Sequence, residues 1–274
     1  MNYKLVVDSC CNVTKELLEK VSVTSVPLTI TMGEKVLVDD AALDVPAFIE
    51  EMTNWKEKIT SGAPSPYEFS QAYKTEEYCL VVTISSKLSG SHASAEAAVT
   101  MVEDGADRIH VFETKSGCAG LTLITLFLDD LIQKNLELKD IIAQTNVFIE
   151  EMKTYFVVED LNTMIDNGRY SGTTGGSTLN FKTILEIDGE GLMVKRVQVR
   201  GQNQLIEKIS EFIIADGRDT KGRTAVLDHC NNPEAAAAIA DSIRERFDFA
   251  EVFVNSANAL SSMYIKNKGM TIAF

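Results

Sequence analysis

The chain has 274 residues, 45% hydrophobic and 24% charged, with 26 basic against 40 acidic side chains and a formal net charge of −14. Such a surface repels nucleic-acid phosphates and anionic bilayers over most of its area, and no Lys/Arg run offers a local exception. The length suffices for a substantial core in one large domain or two.

Five cysteines occur without a C-x-x-C, and neither Cys10-Cys11 nor His229-Cys230 has metal-ligand spacing, so neither a redox motif nor a metal site is expected. The apolar run Leu5-Val6-Val7 is too short for a signal peptide, and the uncharged stretch Ser116 to Leu128 is shorter than a membrane span. Free thiols without an export signal point to a cytoplasmic protein.

In chain order, Tyr3 to Val7 reads as a buried strand ending in the polar turn Asp8 to Asn12, followed by a helix over Thr14 to Lys20. The β-branched run Val21 to Met32 suggests one or two strands, and Gly33-Glu34 turns the chain into Lys35 to Val38. Phe48, Ile49 and Met52 give Val45 to Trp55 helical spacing. Ile59 to Pro66 holds three hydroxyls, a glycine and two prolines, which predicts a stiff extended turn over Gly62 to Pro66. Ser65 then falls at an N-cap, with Pro66 at the first helical position and Glu68 completing a capping box.

Cys79 to Ile84 has the length of a buried strand, and Ser85 to Ser91 a turn opening the alanine-rich helix Ala93 to Val102. Ile109 to Phe112 is another strand, Thr114 to Gly120 a small-residue turn, and Leu121 to Gln133 and Leu138 to Lys153 two helices. This alternation argues for a mostly parallel α/β sheet covered on both faces. The rhythm then changes. A short strand at Phe156 to Val158 and a helix at Leu161 to Asn167 lead to the Gly/Ser/Thr loop Arg169 to Thr178, which suits a boundary or hinge. A hairpin follows, Thr183 to Ile187 and Leu192 to Val199 around Asp188-Gly189-Glu190-Gly191. Helix Gln204 to Ala215, strand Thr224 to Asp228, helix Pro233 to Arg246 and strand Glu251 to Val254 complete an α+β two-layer unit. The expected division is residues 1–158 and 159–274, with a return of the last strand to the first unit left open.

Ligands of open α/β sheets bind beyond the carboxyl ends of the strands. Three turns there are rich in hydroxyls or small residues: Asp8-Ser9, Ser85 to Ser91, and Glu113 to Gly117. At Ser89-Gly90-Ser91, backbone N–H groups, a helix dipole and two hydroxyls suit a carboxylate or phosphate, though an ordinary capped helix explains the same residues. Arg169 either tethers its loop through carbonyl or carboxylate bonds or supplies one positive charge to a bound anion. No phosphate loop, dinucleotide fingerprint or nucleophile elbow is present, and Thr173 to Ser177 reads as a plain glycine turn. His92 lies three residues from Ser89 but has no third group to orient it as a base; His110 and His229 read as structural.

Taken together, these stretches resemble the DegV family of bacterial fatty-acid-binding proteins. The resemblance runs in order over the whole length: Val6-Val7-Asp8-Ser9; Thr60-Ser61-x-x-Pro64-Ser65-Pro66; Ile84-Ser85-Ser86-x-Leu88-Ser89-Gly90-Ser91; Gly168-Arg169-Tyr170-Ser171; Ile184-Leu185-x-x-Asp188-Gly189; and Val199-Arg200-Gly201. It implies two domains with a long-chain fatty acid, such as palmitate, between them. It implies that hydroxyls of Thr60, Ser61 and Ser89 hold the carboxylate, with Gly90, Arg169 and Tyr264 completing the ligand-binding set. It also implies a carrier without catalytic residues or cofactor that presents the acid to a separate fatty acid kinase, with at most transient membrane contact. One departure stands out: Tyr264 occupies the place of a family histidine, and the glycine/proline-rich turn after it is replaced by Ile265 to Gly269. Thr183 also stands where a proline commonly follows the lysine, here Lys182. Two other readings compete with the carrier: a hydrolase or phosphoryl-transfer enzyme on a small acid using Ser89 with His92, and a carrier of a different lipid acid.

Overall fold

The structure, a computed structural model, describes residues 2–75, 77–170 and 181–274. Strand β1 (Tyr3–Asp8) leads through helix α1 (Lys15–Lys20) to β2 (Val23–Val26), and β3 (Thr29–Met32) and β4 (Lys35–Val38) form a hairpin. Helix α2 (Val45–Asn54) precedes β5 (Ile59–Gly62), and helix α3 (Pro66–Ala72) precedes β6 (Tyr78–Val82). Helices α4 (Ser91–Val99) and α5 (Gly105–Arg108), strand β7 (Ile109–Phe112), and helices α6 (Ala119–Gln133) and α7 (Leu138–Glu151) follow. The second half contains β8 (Thr154–Val158), α8 (Asn162–Asp166), β9 (Phe181–Ile187), β10 (Met193–Arg200) and α9 (Gly201–Asp216). It ends with β11 (Thr224–His229), α10 (Pro233–Arg246), β12 (Glu251–Ser256), α11 (Ala259–Ile265) and β13 (Met270–Ala273).

The first sheet is parallel throughout, in the order β2-β1-β6-β7. Its strands read as continuous apolar runs because both faces are covered. Val6 and Val81 pack with Phe69, Tyr73 and Ala95 of α3 and α4 on one side, while Leu5, Val7, Leu80 and Val82 face Leu121, Ile124 and Leu128 of α6 on the other. Each fully buried side chain of this size stabilises the fold by roughly 1.5–3 kcal/mol. The second sheet is mixed, in the order β10-β9-β8-β13-β11-β12, with only the β11–β12 pair parallel. Its period-two alternation is clear in β8: Tyr155 and Val157 pack under α9 and α10, while Phe156 and Val158 join the core that holds α6. Helix α6 is thus packed between the two sheets. The architecture is the expected α/β fold, with a parallel sheet first and helices plus a mixed sheet after it.

Two placements differ from the sequence reading, and the return of the last strand, left open by it, does not occur. Phe156 to Val158, assigned to the first unit, lies in the second sheet between β9 and β13. The last strand does not return to the first sheet; β13 inserts antiparallel between β8 and β11. Every residue of β8 and β13 is buried, and the interior of the second sheet is where both strands pair along both edges. The second difference is Ile59 to Gly62, expected within a loop. It is a strand in a small antiparallel sheet, order β4-β3-β5, with Ser61 opposite Ile30 and Thr60 opposite Thr31. The predicted capping box is present just beyond it: the Ser65 hydroxyl accepts from the Glu68 N–H at 3.3 Å, and the Glu68 carboxylate accepts from the Ser65 N–H at 2.6 Å. Ser171, Thr173 to Ser177 and most of the proposed hinge loop lie outside the described residues.

Candidate functional site

Buried polar ties bring the turns at the strand ends together. The Asp8 carboxylate, at the end of β1, accepts from the Cys10 N–H at 3.1 Å, the Ile84 N–H at 2.8 Å and the Ser91 hydroxyl at 2.6 Å. It joins the ends of two strands to the start of α4, and complete burial pushes its pKa up to about 6. Asp228, at the end of β11, accepts from Asn12, from Asn255 at 3.1 Å and from Thr271 at 3.4 Å, while the Asn258 N–H donates to the Asn12 side chain at 2.9 Å. These bonds fasten the turn after β1 to the second sheet. The β9–β10 turn docks on the same region, with the Ser85 hydroxyl donating to the Gly191 carbonyl at 3.0 Å. Gly191 has φ 81°, and a Cβ there would meet the Ser85 Oγ at 2.4 Å, so both conformation and space call for glycine.

These turns enclose a cavity of about 40 Å³ lined by Ser61, Ser89, Arg169 and Tyr264 together with Cys10, Cys118 and apolar side chains such as Leu28, Leu88, Phe156 and Met193. Ser61 and Tyr264 come from β5 and α11, 203 residues apart, and their hydroxyls lie 2.8 Å from each other. Burial holds the Tyr264 phenol above its usual range, so the hydroxyl stays protonated and can donate. The Arg169 guanidinium lies 5.9 Å from the centre of the Tyr264 ring and donates to the Asn167 carbonyl, so it tethers its own loop while facing the cavity. The Ser89 hydroxyl accepts from the Ser91 N–H at 3.2 Å.

Four of the six expected ligand-binding residues therefore share one cavity. Gly90 does not line it; this residue caps α4 without a side chain and lies against Ala63, where an added Cβ would sit at 3.7 Å. Thr60 does not line it either, because adjacent residues of a strand project to opposite faces and Ser61 takes the cavity face. The enzyme reading needs Ser89 and His92 within hydrogen-bond reach. No such bond is present among the described residues: His92 Nε2 lies 3.9 Å from Glu113, and its Nδ1 is buried without a partner. His110 packs edge-on against Phe112, and the His229 Nδ1 accepts from the Asn232 N–H at 3.3 Å. Among the described residues, no cluster of His, Cys, Asp or Glu could hold a metal ion, and no helix is long and apolar enough to cross a membrane.

A sequence model of the DegV family, described as uncharacterised proteins, matches residues 2–274. The chain belongs to the DegV family. A DegV domain-containing protein of Streptococcus pneumoniae is 29% identical to it over 281 residues, spanning 100% of this chain and 99% of that protein. Among solved structures, a DegV-family protein of Ruminococcus gnavus refined with vaccenic acid superposes with a TM-score of 0.94 at 28% identity, covering 99% of each chain. The fatty acid kinase B3 protein of Streptococcus pneumoniae, loaded with linoleic acid, gives 0.91 at 27% identity and covers 100% of this chain and 99% of that one. The Bacillus subtilis DegV, described as a fatty-acid-binding protein, gives 0.85 at 26%, with 100% and 98% covered.

Several cavity residues of this DegV-family chain escaped the sequence reading. The sequence offers Cys10 and Cys118 only as candidates for metal or redox motifs, whereas a contact across 108 residues brings them together. Asp8 reads as part of a candidate ligand turn and a family-like motif, whereas it ties the strand ends together behind the cavity without lining it. Its position at the carboxyl end of a wholly buried strand was the available signal, since a buried carboxylate must find several donors.

Proposed function

We propose that this protein binds a long-chain fatty acid and serves as its carrier. The observation that carries the reading is the Ser61–Tyr264 hydroxyl pair, which together with Ser89 and Arg169 lines an otherwise largely apolar cavity. In this reading Ser61, Tyr264 and Ser89 donate to the carboxylate and Arg169 supplies the nearby positive charge. Thr60, paired in β5, and Gly90, at the start of α4, support the site rather than touch the head group. The relatives described as bound to vaccenic and linoleic acids support it.

The acyl chain supplies most of the affinity. Burial is worth roughly 0.8 kcal/mol per CH₂, so about fourteen methylenes give an upper bound near 11 kcal/mol. The cavity, at about 40 Å³, is far below the several hundred Å³ of a lipid-sized pocket, so uptake must part its walls. The protein needs no cofactor, is not itself an enzyme, and hands the carboxylate to a separate fatty acid kinase in the cytoplasm. Its net charge of −14 limits contact with anionic bilayers to brief encounters. Mass spectrometry of the denatured protein from cells is expected to release one long-chain fatty acid per chain. A preparation that is reproducibly empty and takes up neither palmitate nor oleate overturns the reading.

A further inference from the structure

Two of the cavity's wall residues are cysteines that fatty-acid binding does not require. Cys10 lies in the turn after β1 and Cys118 in the turn before α6, both buried, with their Sγ atoms 3.7 Å apart. The Cys118 N–H also donates to the Cys10 sulfur at 3.2 Å. Cys118 is held at φ 49°, ψ −119°, a conformation that side chains rarely adopt, and there its sulfur faces Cys10. The neighbouring Cys11 is turned elsewhere, its sulfur 3.7–3.8 Å from the hydroxyls of Thr122 and Thr125. Only Cys10 and Cys118, of the five free cysteines, line the cavity.

We infer that Cys10 and Cys118 form a reversible disulfide that staples the cavity closed and so controls fatty-acid uptake; the second half of this inference rests on the carrier reading. The sulfurs need to close from 3.7 Å to about 2.0 Å, which side-chain rotation and a small shift of the two turns accomplish. A small peroxide supplies the oxidising equivalents. One thiol loses its proton and attacks a peroxide oxygen, giving a sulfenic acid and water. The second thiol then attacks that sulfur and releases its hydroxyl as a second water, so two thiols and one hydrogen peroxide yield a disulfide and two waters. The staple joins two segments of the cavity wall, and because uptake must part that wall it opposes uptake. By linkage, a bound fatty acid opposes disulfide formation by the same factor.

The test begins with reduced, delipidated protein treated with hydrogen peroxide. Thiol titration in denaturant is expected to fall from five to three. Peptide mapping is expected to identify a Cys10–Cys118 crosslink that dithiothreitol reverses. Palmitate uptake should fall on the order of tenfold or more in the oxidised form, and prior loading with palmitate should slow crosslinking. In Cys10→Ser and Cys118→Ser the ratio of treated to untreated uptake should stay near one, whatever the untreated value, while Cys79→Ala keeps the wild-type response. A different pairing, oxidation to a sulfinic acid without a crosslink, or a crosslink that leaves uptake unaltered overturns the inference. The crosslink is read on the wild-type chain, so an unstable variant does not decide the matter. If the reduced protein takes up no fatty acid yet the crosslink forms, the carrier reading falls and the disulfide site stands.

Discussion

Replacing Tyr264 with Phe removes one oxygen and with it the 2.8 Å bond to Ser61. The bond joins two neutral, half-buried hydroxyls, so its loss alone lowers stability by only about 0.5–1.5 kcal/mol. The liganded protein depends on it more heavily. If the pair holds the head group as proposed, both hydroxyls then face a carboxylate, and a hydrogen bond to a charged group is worth about 1.5–3 kcal/mol. At 1.4 kcal/mol per factor of ten, Tyr264→Phe should weaken fatty-acid binding roughly 10- to 150-fold. The methyl ester has no charge to hold and should lose far less. Ser61→Ala should lose a comparable amount, and the double variant less than the sum, because each hydroxyl also orients the other. Displacement of a fluorescent long-chain acid by palmitate and by methyl palmitate measures both terms. Equal losses for acid and ester, or no loss for the acid, would refute the placement of the carboxylate at this hydroxyl pair.

Two further predictions concern the fold that frames the site. Burial raises the carboxyls of Asp8, Asp39 and Asp228 to about 6, so their stabilising contribution is complete below the ordinary carboxylate range and is lost as pH rises through 6. The free energy of unfolding in urea should therefore be higher at about pH 5 than at about pH 7.5, by a few kcal/mol in all, and a lower value at the acid pH contradicts the argument. Gly191→Ala puts a Cβ 2.4 Å from the Ser85 Oγ at φ 81° and should lower stability by about 1–3 kcal/mol. A urea midpoint unchanged from wild type would mean that the β9–β10 turn does not dock on Ser85.

Local chemistry made some of this architecture readable and long-range pairing hid the rest. The capping box at Ser65 and Glu68 and the hairpin around Asp188 to Gly191 depend on residues a few positions apart, and both are present. Ile59 to Gly62 runs directly into the turn signals of Gly62, Pro64 and Pro66, yet it is a strand because β3 offers it an edge. That change decides the site, since strand alternation sends Ser61 into the cavity and Thr60 to the opposite face. Helix α11 is only seven residues long and β13 only four, too short for periodicity to announce either. Yet α11 supplies Tyr264 and β13 sits in the middle of the second sheet. The Ser61–Tyr264 bond and the Cys10–Cys118 contact each span more than a hundred residues, and no spacing rule reaches that far.

The composition of the proposed head site also bears on how a bound acid would be released. A buried ion pair would hold the carboxylate firmly, but it would have to overcome the desolvation of both charges and would leave an unpaired cation once the head group was modified. Here the nearest cation, Arg169, is half-buried and already bonded to the Asn167 carbonyl, while the close donors are the neutral hydroxyls of Ser61, Tyr264 and Ser89. On the carrier reading, two neutral hydroxyls 2.8 Å apart, as those of Ser61 and Tyr264 are, can bond to one another whenever they hold no carboxylate. Affinity then resides mainly in the acyl chain, at roughly 0.8 kcal/mol per methylene, and the head stays exchangeable. Tyr264 carries this division further, because a phenol held above its usual range stays a neutral donor across the physiological pH range, whereas an imidazole would gain and lose charge within it.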